Sequence, residues 1–372
     1  MKMLDLKKLS EKALAQEYLD RDELILLYEK LPLPHLMYIA DSIRQQKHPD
    51  NKVSWQIDRN VNITNVCVAG CSFCNFSCRM GEIDKSYTTT VDEYSEKIEE
   101  LFRQGGNQLL LQGGLHPKYG LAFYCSLFKE LKSRYPALKL HALGPPEIAH
   151  IARIEKKSYR FVLEELINSG LDSLPGAGAE ILSDRVRKQL SPGKPNVKAW
   201  LDVMHDAHTL NLPTSATMMF GHIETLSERI EHLLMIRNLH DRRPTGAYGF
   251  LAFICWTVQS LGTRMSTQYV IEPVSSSEYV RMIAISRIAL VNISNIQASW
   301  LTVGKDTAQI CLHSGANDFG SIMIEENVVS SAGASNRFDA AGIQNAIREA
   351  GFKPWLRNQK YEEVSPVLPI HQ

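Results

Sequence analysis

Along residues 5–50, leucine, isoleucine and alanine recur at helical spacing, with breaks near Pro32 and Pro34, so the pattern predicts helices there. Past residue 50 the pattern changes to short apolar runs alternating with longer amphipathic stretches. The short runs predict strands at 61–66, 108–112, 138–143, 171–175, 213–220, 249–254, 293–299 and 317–321. Helices are predicted at 91–104, 120–135, 159–169, 196–211, 224–240, 276–291 and 339–350. Roughly eight such units in one chain point to an α/β fold, a (β/α)8 barrel of the TIM type; a six-unit barrel with appended elements is the alternative. On this reading residues 1–54 are an N-terminal helical extension, 55–351 the barrel and 352–372 a C-terminal tail. The tail, with Trp355, Tyr361 and three prolines, is expected to pack as an extended cover or to fray.

Several predicted strands end in residues that a barrel core does not need. Gln112-Gly113-Gly114 follows the second strand, and His141 sits in the third. Ser173 and the PGAGAE run (175–180) mark the fourth, Gly221-His222 follows the fifth, Trp256 the sixth, and Gln297 lies in the seventh. Barrel active sites form at the C-terminal ends of strands. Part of this clustering is ordinary turn chemistry.

Composition narrows the function classes. The 372 residues carry 41 acidic and 41 basic side chains, so no net charge draws the chain to nucleic acid or to anionic membranes. Charges interrupt the first residues, MKMLDLKKLSEKALAQEYLD, which therefore do not read as a secretory segment. No apolar run approaches the ~20 residues of a membrane span. Three of the seven cysteines fall within eight residues. A tight cluster in a large chain reads as metal binding or catalysis, and places the protein in a reducing cytoplasm.

The cluster is TNVCVAGCSFCNF (64–76), Cys-x3-Cys-x2-Cys directly after the first predicted strand. Thiolates are the ligands of iron–sulfur clusters. Cys67, Cys71 and Cys74 would hold three irons of a 4Fe–4S cube and leave the fourth open to chelate a substrate. S-adenosylmethionine (SAM) suits that open iron through its amine and carboxylate. One electron into the sulfonium then releases a 5′-deoxyadenosyl radical, chemistry that belongs to the cofactor while the protein aims and shields it. The competing reading is a four-ligand zinc site with Cys78 as the fourth thiolate. On the cluster reading Cys78, like Cys125, Cys255 and Cys311, reads as a buried or incidental thiol rather than a ligand. Phe73, just before the last ligand, is a candidate to shield the cluster or contact adenine; simple loop packing explains it equally well.

The Cys-x3-Cys-x-aromatic-Cys motif resembles that of the radical SAM superfamily. Seven further blocks in order resemble, more narrowly, the cyclic dehypoxanthinyl futalosine synthase family of the futalosine route to menaquinone. They are WQIDRNVNITNVC (55–67), LLLQGGLHP (109–117), LHALGPPEI (140–148), LDSLPGAGAEIL (171–182), ATMMFGHIET (216–225), NIQASW (295–300) and GANDFGSIMIEENVV (315–329). Aminofutalosine synthase and the enzymes that build the deazaflavin chromophore share parts of these blocks. The chain departs from the family pattern at Ile63, where tyrosine is usual, at Cys255, where proline is usual, and around Val258 and Ser260.

This resemblance implies a radical SAM barrel that cyclises dehypoxanthine futalosine. The deoxyadenosyl radical takes hydrogen from the ribose, and the carbon radical adds to the benzoate ring. A one-electron reductant such as flavodoxin or ferredoxin is implied. Gln112, Gly113 and Gly114 lie where the superfamily has its Gly-Gly-Glu-like turn beside the SAM amine, but Leu115 replaces the acid. Ser173 and Glu180 are candidates for the SAM ribose or carboxylate, although Glu180 also suits a helix first turn. Ile254 and Trp256 are candidates to pack adenine, or else belong to a plain core strand. Rearomatisation needs a base within hydrogen-bond reach. His222, Glu147, Asp318 and Glu326 are the candidates, against structural histidine and salt-bridged carboxylates. The benzoate carboxylate wants a cation, with Arg185, Arg281 and Arg287 as candidates. The N-terminal helices and the C-terminal tail are candidates to close the pocket.

Overall fold

The computed structural model describes residues 3–82 and 84–365. Residues 366–372 of the expected tail lie outside the described residues. Among the described residues nine strands appear: β1 (Lys52–Gln56), β2 (Asp58–Asn62), β3 (Gln108–Gln112), β4 (Lys139–Ala142), β5 (Thr214–Phe220), β6 (Phe250–Thr257), β7 (Asn295–Gln297), β8 (Asp318–Ser321) and β9 (Lys353–Leu356). Every ladder between them is parallel. They form two sheets, ordered β5-β6-β7-β8-β1-β9 and β2-β3-β4. Single bridges join these into a ring: Arg59 with Ile324, His141 with Ser173, and Leu174 with Thr214. β1 and β2 are one stave broken at Ile57. The ring therefore reads β1–β2, β3, β4, residues 173–174, β5, β6, β7 and β8, the eight staves of a TIM-type barrel.

Two strand expectations need correction. The first stave runs over 52–62 rather than 61–66, and residues 63–66 already belong to the cysteine loop. Its inward positions are polar (Gln56, Asp58 and Asn60), which hides a strand from any search for apolar runs. Its other face is apolar, and Val53, Trp55, Ile57 and Val61 join the core. The fourth stave shrinks to bridges because the Asp172 carboxylate takes the Leu140 N–H at 2.8 Å, and Pro175-Gly176 ends the strand.

The expected helices form at Val91–Arg103, Leu121–Arg134, Tyr159–Asn168, Val197–Thr209, Leu226–Asp241, Ser276–Ala289 and Ala340–Glu349. Capping boxes start two of them, Thr90 with Glu93 and Thr225 with Glu228, each stabilising its helix by ~1 kcal/mol. Helices Pro145–Glu155 and Trp300–Leu312 were not expected. Prolines at 145 and 146 read as a turn, yet proline is favoured in a helix first turn. Gly304, at φ 79°, kinks the other and interrupts its periodicity.

The N-terminal helices, Met3–Leu14, Arg21–Lys30 and Leu33–Lys47, pack outside the barrel on Leu226–Asp241 and Ser276–Ala289. None of their described residues lines the central cavity. No helix among the described residues is long and apolar enough to cross a membrane. The C-terminal segment does enter the barrel. β9 pairs with β1, Lys52 opposite Lys353 to Trp55 opposite Leu356, whereas β3 pairs with β2. The first stave thus changes neighbours at Ile57, and the chain leaving β9 passes inward there. The Arg357 N–H donates to the Trp55 carbonyl at 3.0 Å, and Arg357, Gln359 and Tyr361 line the cavity.

Candidate active site

The cysteine loop leaves the C-terminal end of β2. Its base is tied by Cys78, whose N–H donates to the Asn65 carbonyl at 2.9 Å and whose carbonyl accepts from Cys67 N at 3.0 Å. The Cys78 thiol is buried and donates to Asn65 Oδ1 at 3.3 Å, so it closes the loop. Cys67 Sγ accepts from the N–H groups of Ala69 at 3.4 Å and Leu115 at 3.3 Å. Two other segments brace the tip with three bonds: Ser72 N–H donates to the Leu190 carbonyl at 2.7 Å, Gly193 N–H to the Ala69 carbonyl at 2.9 Å, and Met265 N–H to the Ser72 carbonyl at 2.8 Å.

Glycine is demanded where these segments touch. A β-carbon on Gly114 would overlap the Val66 carbonyl and stand 2.9 Å from Cys67 Cβ. One on Gly193 would stand 2.6 Å from Ala69 Cα. Gly113 and Gly114 therefore seat the loop, and neither lines the cavity, whereas Gln112 does.

Burial pushes the Cys71 thiol up to about 12 and raises Cys67, with Lys194 opposing both shifts. Bound metal overrides such a shift by deprotonating the thiol outright. The cysteines are near enough to one another for mutual repulsion to contribute to these shifts. Among the described residues no three His, Cys, Asp or Glu side chains converge on the point a single ion would occupy.

Beneath the loop lies a cavity of about 350 Å³ running down the barrel axis. Of the candidate site residues, Phe73, Gln112, Glu180, Ile254, Trp256 and Glu326 line it. Glu180 sits at φ 41°, with Oε1 2.7 Å from Lys194 Nζ. Its Oε2 is buried without a hydrogen bond, although Arg187 Nη1 stands 3.6 Å away. Asn60 Oδ1, on the same cavity, is also buried and unpartnered among the described residues. Lys194 stands 5.5 Å above the Phe73 ring. Burial works against its charge, but Cys71 and Glu180 outweigh burial and raise its pKa. Three thiols on one braced loop, with a lysine and two unsatisfied oxygens below, fit a cluster with a polar, zwitterionic ligand.

The other expected residues are distributed differently. Ser173 Oγ meets His141 Nδ1 at 2.7 Å, and it is His141 that lines the cavity. Glu326 faces the cavity, but its carboxylate takes the N–H groups of Val328, Val329 and Ser330 at 2.7–2.8 Å. Asp318 accepts from Arg357 Nε at 2.6 Å and from Gly320 N–H. His222 is not brought to the cavity; Nε2 meets the Met219 carbonyl at 3.0 Å and Nδ1 stands 2.7 Å from Glu224. Glu147 is buried in the first turn of Pro145–Glu155, where burial pushes it up to about 7. It too stands off the cavity. None of Arg185, Arg281 or Arg287 reaches it either. Arg185 pairs with Glu228 at 2.6 Å, Arg281 donates to the Tyr28 carbonyl at 2.7 Å, and Arg287 to Gly315 at 2.7 Å. The lysine and arginine that do line it, Lys194 and Arg357, carry no motif; tertiary contact alone reveals them.

Comparison with known proteins gives this geometry a family. Residues 61–236 match the radical SAM superfamily, and residues 247–369 match the CofH/MqnC C-terminal region. The cyclic dehypoxanthine futalosine synthase of Streptomyces coelicolor is 41% identical over 97% of this chain and 89% of its own length. The chain belongs to the radical SAM superfamily. A 5-amino-6-(D-ribitylamino)uracil–L-tyrosine 4-hydroxyphenyl transferase of Methanosarcina barkeri is 36% identical, covering 94% of this chain and 89% of that one. The aminodeoxyfutalosine synthase of Thermus thermophilus is 34% identical, covering 96% and 95%. Among solved structures, methylornithine synthase superposes with a TM-score of 0.69 at 19% identity over 94% of this chain and 98% of that one, a likeness of fold. The chain is thus a radical SAM enzyme of the group that holds these three activities, and the family implies a 4Fe–4S cluster and SAM.

Proposed function

We propose that the enzyme cyclises dehypoxanthine futalosine. The observation that carries this reading is one continuous cavity, lined from Phe73 beside the cysteine loop to Arg357 and Tyr361 at its other end. One substrate folded on itself suits such a space; a transferase must seat two. The blocks at 171–182, 216–225 and 295–300, which resemble those of the cyclase family, and the 41% identity to a synthase of that name favour the same choice.

The bound cluster and SAM supply a 5′-deoxyadenosyl radical. This chain's residues would do the rest. Cys67, Cys71 and Cys74 hold the cluster, with Leu115 N–H directed at one sulfur. Lys194 and Glu180 offer a cation and an open carboxylate oxygen to the SAM carboxylate and amine. Ile254 and Trp256 form an apolar wall for a planar base. Ring closure removes two hydrogens from the substrate, one as an atom taken by the deoxyadenosyl radical, one as a proton whose electron balances the electron that starts turnover, so SAM is the net oxidant. A low-potential carrier of the flavodoxin or ferredoxin type supplies the electron that starts turnover.

The test is anaerobic turnover of the reconstituted enzyme with dithionite, SAM and dehypoxanthine futalosine. Stoichiometric 5′-deoxyadenosine with a product two hydrogens lighter than substrate is expected. Deoxyadenosine with unchanged substrate would move the function to one of the relatives.

A further inference from the structure

Among the described residues, the lysine and arginine on the cavity wall stand at opposite ends. Lys194 is committed to the cysteine loop, through Phe73 and Glu180. Arg357 is 5% exposed and arrives on the segment that follows β9. Its Nε donates to Asp318 Oδ2 at 2.6 Å and its Nη1 to Gln56 Oε1 at 2.7 Å. Its guanidinium carbon lies 4.1 Å over the Tyr361 ring. These contacts fix both position and plane. Nη2 has no partner among the described residues.

A guanidinium pinned through Nε and Nη1 presents its remaining nitrogen, Nη2, as a rigid, directed and charged donor, which suits recognition of a carboxylate oxygen. The neighbours agree. Gln359 Nε2, an uncharged donor, lies 3.4 Å from His141 Nε2 on the same wall. Asp318 spends its oxygens on Arg357 and on Gly320 N–H. The other nearby carboxyl, Asp58, is engaged by Ser321 Oγ and by Gln108 at 3.4 Å. Between the two ends the walls include Leu110, Ala252, Ile254 and Leu251, room for a flat apolar ring.

We propose that Arg357 determines substrate specificity by hydrogen-bonding, through Nη2, an aryl carboxylate at the end of the cavity remote from the cysteine loop. The C-terminal segment is then a part of the active site, threaded in at the split between β1 and β2. The proposal rests on the cyclisation reading above for the whole substrate, but the chemistry it requires is only an aromatic acid.

Benzoate and benzamide are the probes, titrated by ligand-observed NMR into the cluster-loaded enzyme. The wild type is expected to bind benzoate about tenfold or more tightly than benzamide, the weight of a charge-assisted hydrogen bond. Arg357→Gln leaves Asp318 uncompensated, so it is made together with Asp318→Asn; the pair should bind both probes equally. Arg357→Lys, which keeps a cation beside Asp318, should lose most of the preference because an ammonium cannot hold Asp318 and Gln56 and still present a directed third donor. Equal binding by the wild type, or an undiminished preference in either variant, overturns the proposal. Turnover of dehypoxanthine futalosine is scored separately. Benzoate selection by Arg357 without that turnover would sink the cyclase reading and leave Arg357 standing; turnover with no dependence of probe binding on Arg357 would do the reverse.

Discussion

The backbone of Gly114 passes so close to Val66 that a β-carbon at residue 114 would occupy the Val66 carbonyl. The contact is backbone against backbone, so no side chain can swing aside. Gly114→Ala should therefore displace Cys67 and break the Leu115 N–H bond to its sulfur. Iron and sulfide per chain after reconstitution should fall by half or more. Gly70 is the control: its φ of 64° strains an alanine by ~1 kcal/mol, but nothing stands within 4 Å of the new methyl. Gly70→Ala should keep its iron, and loss of iron in both variants would show that loop strain rather than this contact matters.

Replacing Cys67, Cys71 or Cys74 by alanine should abolish the intact cluster and take SAM cleavage to background. Cys78→Ala should keep the cluster, because that thiol is turned to Asn65 Oδ1 at 3.3 Å. Electron paramagnetic resonance of the reduced proteins reads both results. A cluster lost with Cys78 would restore the four-thiolate reading.

Lys194 and Glu180 form a buried pair at 2.7 Å, with side-chain exposures of 16% and 8%. Removing one partner strands the other, at a cost of about 3–5 kcal/mol. Lys194→Met should lower urea stability by that order, and adding Glu180→Leu should restore much of it. SAM affinity, measured by equilibrium dialysis of cluster-loaded protein, should stay weak in both. Recovery of affinity in the double variant would mean the pair is only structural.

Glu147 makes a pH prediction. Burial raises its carboxyl from the usual 4.5 to about 7, so the folded protein holds a proton that the unfolded chain releases. The stabilisation is full below pH 4.5 and is lost as pH rises through 7. Over that window the loss is on the order of 3 kcal/mol. Glu147→Gln should flatten this part of the stability–pH curve, measured by urea unfolding between pH 5 and about 8. An unchanged slope would place the titration elsewhere. Buried His141, lowered to about 3 by burial and Arg357, acts in the opposite sense and weakens the fold as pH drops below 6.5.

The local code of this chain determined what is local. Alternation of short apolar runs with amphipathic stretches carried the barrel, because strand and helix periods are written residue by residue. The Cys67, Cys71 and Cys74 spacing carried the cluster chemistry, because all its ligands lie on one loop. Glu180 and Trp256 were legible as strand-end residues that a core does not need, Ile254 only through the family resemblance, and each lines the cavity. The start of the first stave was not legible, since Gln56, Asp58 and Asn60 make its inner face polar. Only tertiary structure decided which cations and which candidate bases face the cavity. His222 satisfies itself within its own turn, and Arg185 finds Glu228 on a neighbouring helix. Lys194 reaches Glu180 and Phe73, far from it in sequence. Arg357 sits 301 residues from Gln56 along the chain, yet donates to it at 2.7 Å. Burial and long-range pairing select among equivalent side chains, and neither is encoded in the spacing of their neighbours.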